Sequence, residues 1–198
     1  MKIQNKYLLD KRIEILKFAK SIIEEKGFST NIIKKISKEH DLDLNETYLL
    51  FPEGNTDLIK FALQQLNKEL EDYCKKIDLI RLPIHRRIRK ILLSKIYLMN
   101  KDKIFYKKIF LNLIIPNKNI HKSRQLYNSI DQIWFIAGDS SVDFNFYTKR
   151  LILTGIYCRI ILFFFNNNNQ KDLKNILDIN LKRVSKIPEL KSKLNILK

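Results

Sequence analysis

Glycine and proline are scarce in this chain, four of each among 198 residues. With so few turn-formers, and with helical spacing of apolar residues throughout, the sequence predicts an all-α fold. No segment alternates convincingly as a strand, and no repeat is visible. Cysteine is scarcer still. Cys74 and Cys158 are far apart with no CxxC, which argues against a zinc site or disulfide framework and fits a reducing compartment. His40, His85 and His121 are scattered and form no metal-ligand pattern. Long hydrophobic runs are missing too. The longest apolar stretch, Leu151 to Phe165, has fifteen residues and contains Arg159. A span needs roughly 20, so this stretch reads as a central buried helix. The start, MKIQNKYLLDKR, has no apolar region of signal-peptide length.

Acidic residues are the other shortage: 21 against 38 Lys and Arg, for a formal charge of +17. The imbalance is local. Residues 1–60 carry eleven cations and ten acids, whereas residues 81–124 carry thirteen cations and the single acid Asp102. The basic segment suits an anionic membrane surface, where each Lys or Arg adds about 1 kcal/mol. Lys, Ile and Asn supply 78 residues and all have AT-rich codons, so genomic drift is an alternative source of the charge. The same bias suggests a bacterium with an AT-rich genome. Enzyme chemistry lacks its parts. There is no phosphate-binding glycine loop, no credible nucleophile–base pair and no metal cluster, so a non-enzyme is expected.

What is present is helix. Apolar spacing and breakers predict a helix over Lys11–Lys26 ended by Gly27, and a second capped by Ser29 or Thr30. A short third is capped by Asp43 and stops before Pro52. Six more are expected: after Asn55, after Pro83, over 103–114, over 120–137, over about 144–165 and over about 171–185. The fourth carries the stripe Ile59, Leu63, Leu66, Leu70, Tyr73 and Ile77. Three regions follow: 1–54 as a helix-turn-helix-like unit, 55–185 as a helical ligand domain, and 186–198 as a basic tail.

The richest segment is IWFIAGDSSVDFNFYTKR, residues 133–150. It holds the only tryptophan, Trp134, a Gly-Asp-Ser-Ser turn, and Asp143, Phe146, Tyr147, Lys149 and Arg150. An almost wholly apolar helix follows at once. Aromatics and paired cations at the mouth of such a helix suit a greasy ligand with a polar head. A guanidinium entering apolar surroundings needs an anion: a ligand headgroup for Arg150, or else Asp143 or Asp139. Leu151, Thr154, Gly155, Ile156, Tyr157 and Ile160 are candidate pocket residues, with ordinary core packing as the alternative. Asp143, Phe146 and Tyr147 are candidate partner-surface residues, with a helix cap and local packing as the alternative. The last helix has an apolar stripe and several lysines, and could meet a membrane or dock on its own domain.

The spacing of KRIEILKFAKSIIEEKGF, IIKKI and TYLLF resembles the TetR-type helix-turn-helix family. It departs from that family where DNA chemistry belongs. Asp41 stands at the usual turn glycine, Glu46 at a common phosphate-contacting threonine, and Gly54 at a commonly basic site. Specific DNA binding is therefore not expected. LFPEGNTDLIKFALQQLNKEL, HRRIRKILLSKI and IWFIAGDSSVDFNFYTKRLILTGIY resemble the ubiquinone biosynthesis accessory family, ninth of its set, from about residue 9 to 185. That resemblance implies a TetR-like fold without TetR function. It implies binding of phospholipid or a polyprenylated quinone precursor, with no cofactor. It also implies assistance to the demethoxyubiquinone hydroxylase at a membrane surface. A homodimer in the bacterial cytoplasm, peripheral to the inner membrane, is the corresponding expectation. Phe146 stands where the family usually has tryptophan. A TetR-type regulator with a hydrophobic effector is the alternative.

Overall fold

A computed structural model describes residues 2–114, 120–140 and 144–185, and among these every regular element is helical. In chain order they are α1 (Lys2–Lys26), α2 (Ile32–Glu39), α3 (Leu44–Leu50), α4 (Asn55–Lys75) and α5 (Ile84–Met99). A 3-10 turn at Asn100–Asp102 leads to α6 (Lys103–Ile114), then α7 (Ile120–Ile136), α8 (Phe144–Asn166) and α9 (Gln170–Ser185). None is long and apolar enough to cross a membrane. The basic tail, 186–198, lies outside the described residues.

Local chemistry sets most of the helix ends. Gly27, at φ +77°, donates its N–H to the carbonyl of Ile23 and closes α1. The Asp43 carboxylate accepts the N–H of Glu46 at 2.7 Å and caps α3, as its sequence position predicts. Two expectations need correction. First, α1 begins at Lys2, nine residues before Lys11. Its first turns hold no helix breaker, so helix extends past the point where burial begins. Tyr7 and Leu8 there are exposed, while Ile15, Leu16, Ala19, Ile22 and Ile23 are buried. Second, neither the Ser29 nor the Thr30 side chain caps α2. Asn31 holds that position without a side-chain bond, and the Ser29 carbonyl receives the Ile32 N–H.

Two compact units divide the chain. Among the described residues, the first runs to Leu66 and takes back the segment from Asp102 to Ile114; the second holds 67–101, 120–140 and 144–185. In the first unit α6 packs on α1, burying Phe105 and Ile109. There the Lys108 ammonium donates to the carbonyls of Ile23 and Glu24, both at 2.8 Å, at the C-terminal end of α1. Lys20 pairs with Asp102 in the same unit.

The second unit is built from the end of α4 with α5, α7, α8 and α9. Leu70, Ile91, Leu92, Ile130, Ile133, Ile160, Ile161 and Leu177 are fully enclosed. Each contributes about 1.5–3 kcal/mol over its exposed state. The predicted α4 stripe holds through Leu70, after which Cys74 is buried and Tyr73 turns outward. The helix α9 packs on α5 and α8 through Leu173 and Leu177, which resolves its apolar stripe as a docking face of its own unit. Arg89 of α5 is paired with Asp178 of α9, with Nη2 at 2.9 Å from Oδ2.

Candidate functional site

The segment singled out by sequence is the junction of α7 and α8 in the second unit. Gly138 ends α7 in the left-handed region, at φ +79°. A side chain there would also meet Arg87, whose Nη1 lies 3.1 Å from the Cβ position. That guanidinium donates to three carbonyls, of Leu82, Ala137 and Ile80, at 2.7, 3.0 and 2.8 Å. The turn delivers Asp139 beneath the start of α8. Its carboxylate, only 4% exposed, pairs with Lys149 at 2.8 Å and Arg150 at 3.4 Å.

Arg150 is buried, and its charge is met within the chain. Nε donates to Asp131 at 2.7 Å, and Nη1 to Asp139 and to the Phe146 carbonyl. The guanidinium carbon sits 3.3 Å from the Phe146 ring centroid. The salt-bridge alternative raised by the sequence is thus realised for Asp139, with Asp131 as a second carboxylate the sequence reading missed. Asp143 and Ser141 lie outside the described residues. Asp131 carried no sequence signal, because its pairing depends on how α7 meets α8.

The six candidate pocket residues fall on two faces of α8. Ile156, Tyr157 and Ile160 point into the core of the unit. Leu151 is 75% exposed, Thr154 is half-buried, and Gly155 faces open space with nothing within 4 Å of its Cβ position. No single pocket can therefore be lined by all six at once in this arrangement. The outward residues continue the face of Tyr147, which is 68% exposed and one helical turn before Leu151. Phe146 is half-buried under Arg150, with its ring edge-on to Tyr147 at 5.2 Å. Phe135, near the end of α7, is also exposed.

A second buried cation was missed. Lys95 on α5 is fully enclosed; its Nζ donates to Asn67 Oδ1 at 3.1 Å and lies 5.4 Å from the Tyr157 ring centroid. Burial pushes its pKa down to about 7 and pushes the Tyr157 hydroxyl up. The sequence did hold a signal for it. Ile88, Ile91, Leu92, Lys95 and Met99 share one helical stripe, so a lysine occupies a core position. Cys74 and Cys158 are free thiols with pKa values raised by burial, which lowers their thiolate fraction. No metal-holding group of three His, Cys, Asp or Glu occurs among the described residues.

Residues 120–188, spanning α7, α8 and α9, match the model of the COQ9 family. The chain is 28% identical over 152 residues to a mitochondrial ubiquinone biosynthesis protein COQ9-A of Xenopus laevis, covering 73% of this chain and 47% of that protein. It is 50% identical over 46 residues to mitochondrial COQ9 of Bos taurus, covering 23% of this chain and 14% of that one. The chain spans about half the length of the Xenopus relative it matches. Among solved structures, a TetR transcriptional regulator from Nitrosomonas europaea superimposes with a TM-score of 0.69 at 13% identity, over 89% of this chain and 98% of that one. The fold is TetR-like, and the sequence similarity is to COQ9.

Proposed function

From the similarity of this chain to the COQ9 family, we propose that it is a non-catalytic accessory protein of ubiquinone biosynthesis. In this reading it binds a polyprenylated quinone precursor or a phospholipid and presents substrate to the demethoxyubiquinone hydroxylase. It works as a homodimer at the bacterial inner membrane, from the cytoplasmic side. The match over residues 120–188 carries the reading, because it contains the whole α7–α8 junction and both faces of α8.

The division of α8 into two faces gives the two tasks separate residues. Ile156, Tyr157 and Ile160, on the enclosed face, hold the apolar tail in the interior of the second unit. Tyr147 and Leu151, on the open face, are the anchors for the hydroxylase, since large exposed apolar side chains dominate interface energetics. Arg150 serves both tasks indirectly by fixing the start of α8 through Asp131 and Asp139. A headgroup contact by Arg150 would have to displace one of these carboxylates. The basic segment is partly committed to structure, through Arg87, Arg89, Lys95 and Lys108. The membrane role therefore rests on its remaining cations, such as Arg86 and Lys90, which are exposed.

The α3 surface supports a function other than specific DNA binding. Its sequence, LNETYLL, has no cation, Glu46 lies in its first turn, and Leu44, Tyr48 and Leu49 are exposed. Without a cation on α3, the counterion release that drives most DNA affinity is missing from that helix.

The test is mild extraction followed by native mass spectrometry, together with capture of the purified hydroxylase. A co-purifying quinone precursor or phospholipid, and capture lost on Tyr147→Ala with Leu151→Ala, are the expected results. A ligand-free protein that shifts a specific duplex DNA at physiological salt would overturn the reading.

A further inference from the structure

Two unmet hydrogen-bonding groups meet at Asn67 in the second unit. The Lys95 ammonium has three protons to donate, and Asn67 Oδ1 is its one hydrogen-bond acceptor among the described residues. No carboxylate pairs with it among those residues. The backbone carbonyl of Asn67 receives Gln132 Nε2 at 2.8 Å, and the other end of that amide, Oε1, is buried with no hydrogen-bond partner among the described residues. Surplus donors and an orphaned acceptor are thus tied to the same residue. A buried ammonium without a counter-charge is among the most expensive arrangements in a protein interior, and an unsatisfied buried carbonyl adds to it.

We infer that Lys95, Asn67 and Gln132 form an internal recognition site for the hydroxyl of a phenol that carries an apolar tail. The inference rests on the lipid-binding reading and names the polar end of its ligand. A hydroxyl answers both groups at once: its oxygen accepts from the Lys95 ammonium, and its proton goes to Gln132 Oε1. A carboxylate would satisfy the lysine but bring no proton to Gln132. An ether or alkyl group would leave Gln132 as it is. An aromatic hydroxyl fits better than an aliphatic one because its more acidic proton makes it the stronger donor to Gln132 Oε1. The Tyr157 ring beside Lys95 and the enclosed Ile91, Leu92 and Ile160 supply an apolar setting for the ring and tail. The cluster is shut from solvent, so a ligand enters by parting helices of this unit.

The experiment compares 4-octylphenol with its methyl ether, titrated calorimetrically into the full chain. Wild type should prefer the phenol by about tenfold, the worth of one or two buried hydrogen bonds. Lys95→Met, which keeps the volume and removes the charge, should bring that ratio near one without lowering the thermal midpoint. Gln132→Met should do the same to the ratio and serves if Lys95→Met does not fold. Equal wild-type affinity for phenol and ether overturns the site while leaving the lipid reading standing. Binding of neither compound overturns both. A tenfold preference that survives Lys95→Met and Gln132→Met shows that the hydroxyl is recognised elsewhere, and the assignment is wrong.

Discussion

Arg150 and Lys95 are both buried cations of the second unit, and they are treated in opposite ways. Arg150 stands at the start of α8 with two carboxylates, a carbonyl and an aromatic face around it. Lys95 stands mid-helix with one amide oxygen and one ring. The first arrangement is complete as it is: the charge is compensated, and the network fixes where α7 ends and α8 begins. The second is incomplete. Such a residue lowers stability and is tolerated as long as the whole protein stays above its threshold. The contrast is between a cation whose partners lie within the chain and one for which the proposed ligand would supply them.

The largest effect should come from breaking the completed network. Arg150→Ala leaves Asp139 buried without one of its cations and removes the stacking on Phe146. It should cost about 3 kcal/mol, the low end for breaking a buried pair, because Asp139 keeps Lys149, read by urea denaturation. A loss under 1 kcal/mol would show the network to be dispensable.

The opposite sign is expected at Lys95. Lys95→Met removes an uncompensated buried charge and should raise stability by about 1–4 kcal/mol at neutral pH. The pH dependence sharpens this. In the unfolded chain the amine titrates near 10.4, and in the folded chain at about 7. Between those values the unfolded state holds the proton and the folded state does not, so stability rises with pH across that window. Below about 7 both states hold it, and the full penalty applies. Denaturation midpoints of wild type minus Lys95→Met, measured from pH 6 to 10, should climb across the window. A flat difference would mean that Lys95 is not desolvated.

Smaller effects separate the faces of α8 and the two left-handed turns. Tyr147→Ala with Leu151→Ala should change the thermal midpoint little, since both side chains are largely exposed, yet abolish hydroxylase capture. Gly138→Ala should cost about 1–2 kcal/mol through its backbone angle alone, with Arg87 displaced in addition. Asp41→Gly should work the other way. Asp41 sits at φ +51°, where the TetR-type turn usually has glycine, and relieving it should add about 1 kcal/mol. Differential scanning calorimetry reads both turns.

The sequence by itself determined the helical class, the succession of helices and the family resemblance. These depend on breakers, caps and apolar spacing, which act within a turn or two of chain. Gly27, Asp43, Pro83 and Gly138 all punctuate helices in the structure as their residue types dictate. The junction at 133–150 was also legible as unusual, because its residue types are costly in an apolar setting. Only the tertiary structure decided what those residues touch. The charge of Arg150 goes to Asp131, nineteen positions away, and the face of α8 bearing Leu151 and Gly155 opens outward while that of Ile156 and Ile160 closes inward. A helix that is apolar nearly all round, as α8 is from Leu151 to Phe165 apart from Arg159, has no face clearly marked by its own sequence. Which side is buried is set by the neighbours that pack against it, here α7 and α9, and by ion pairs between residues far apart in the chain.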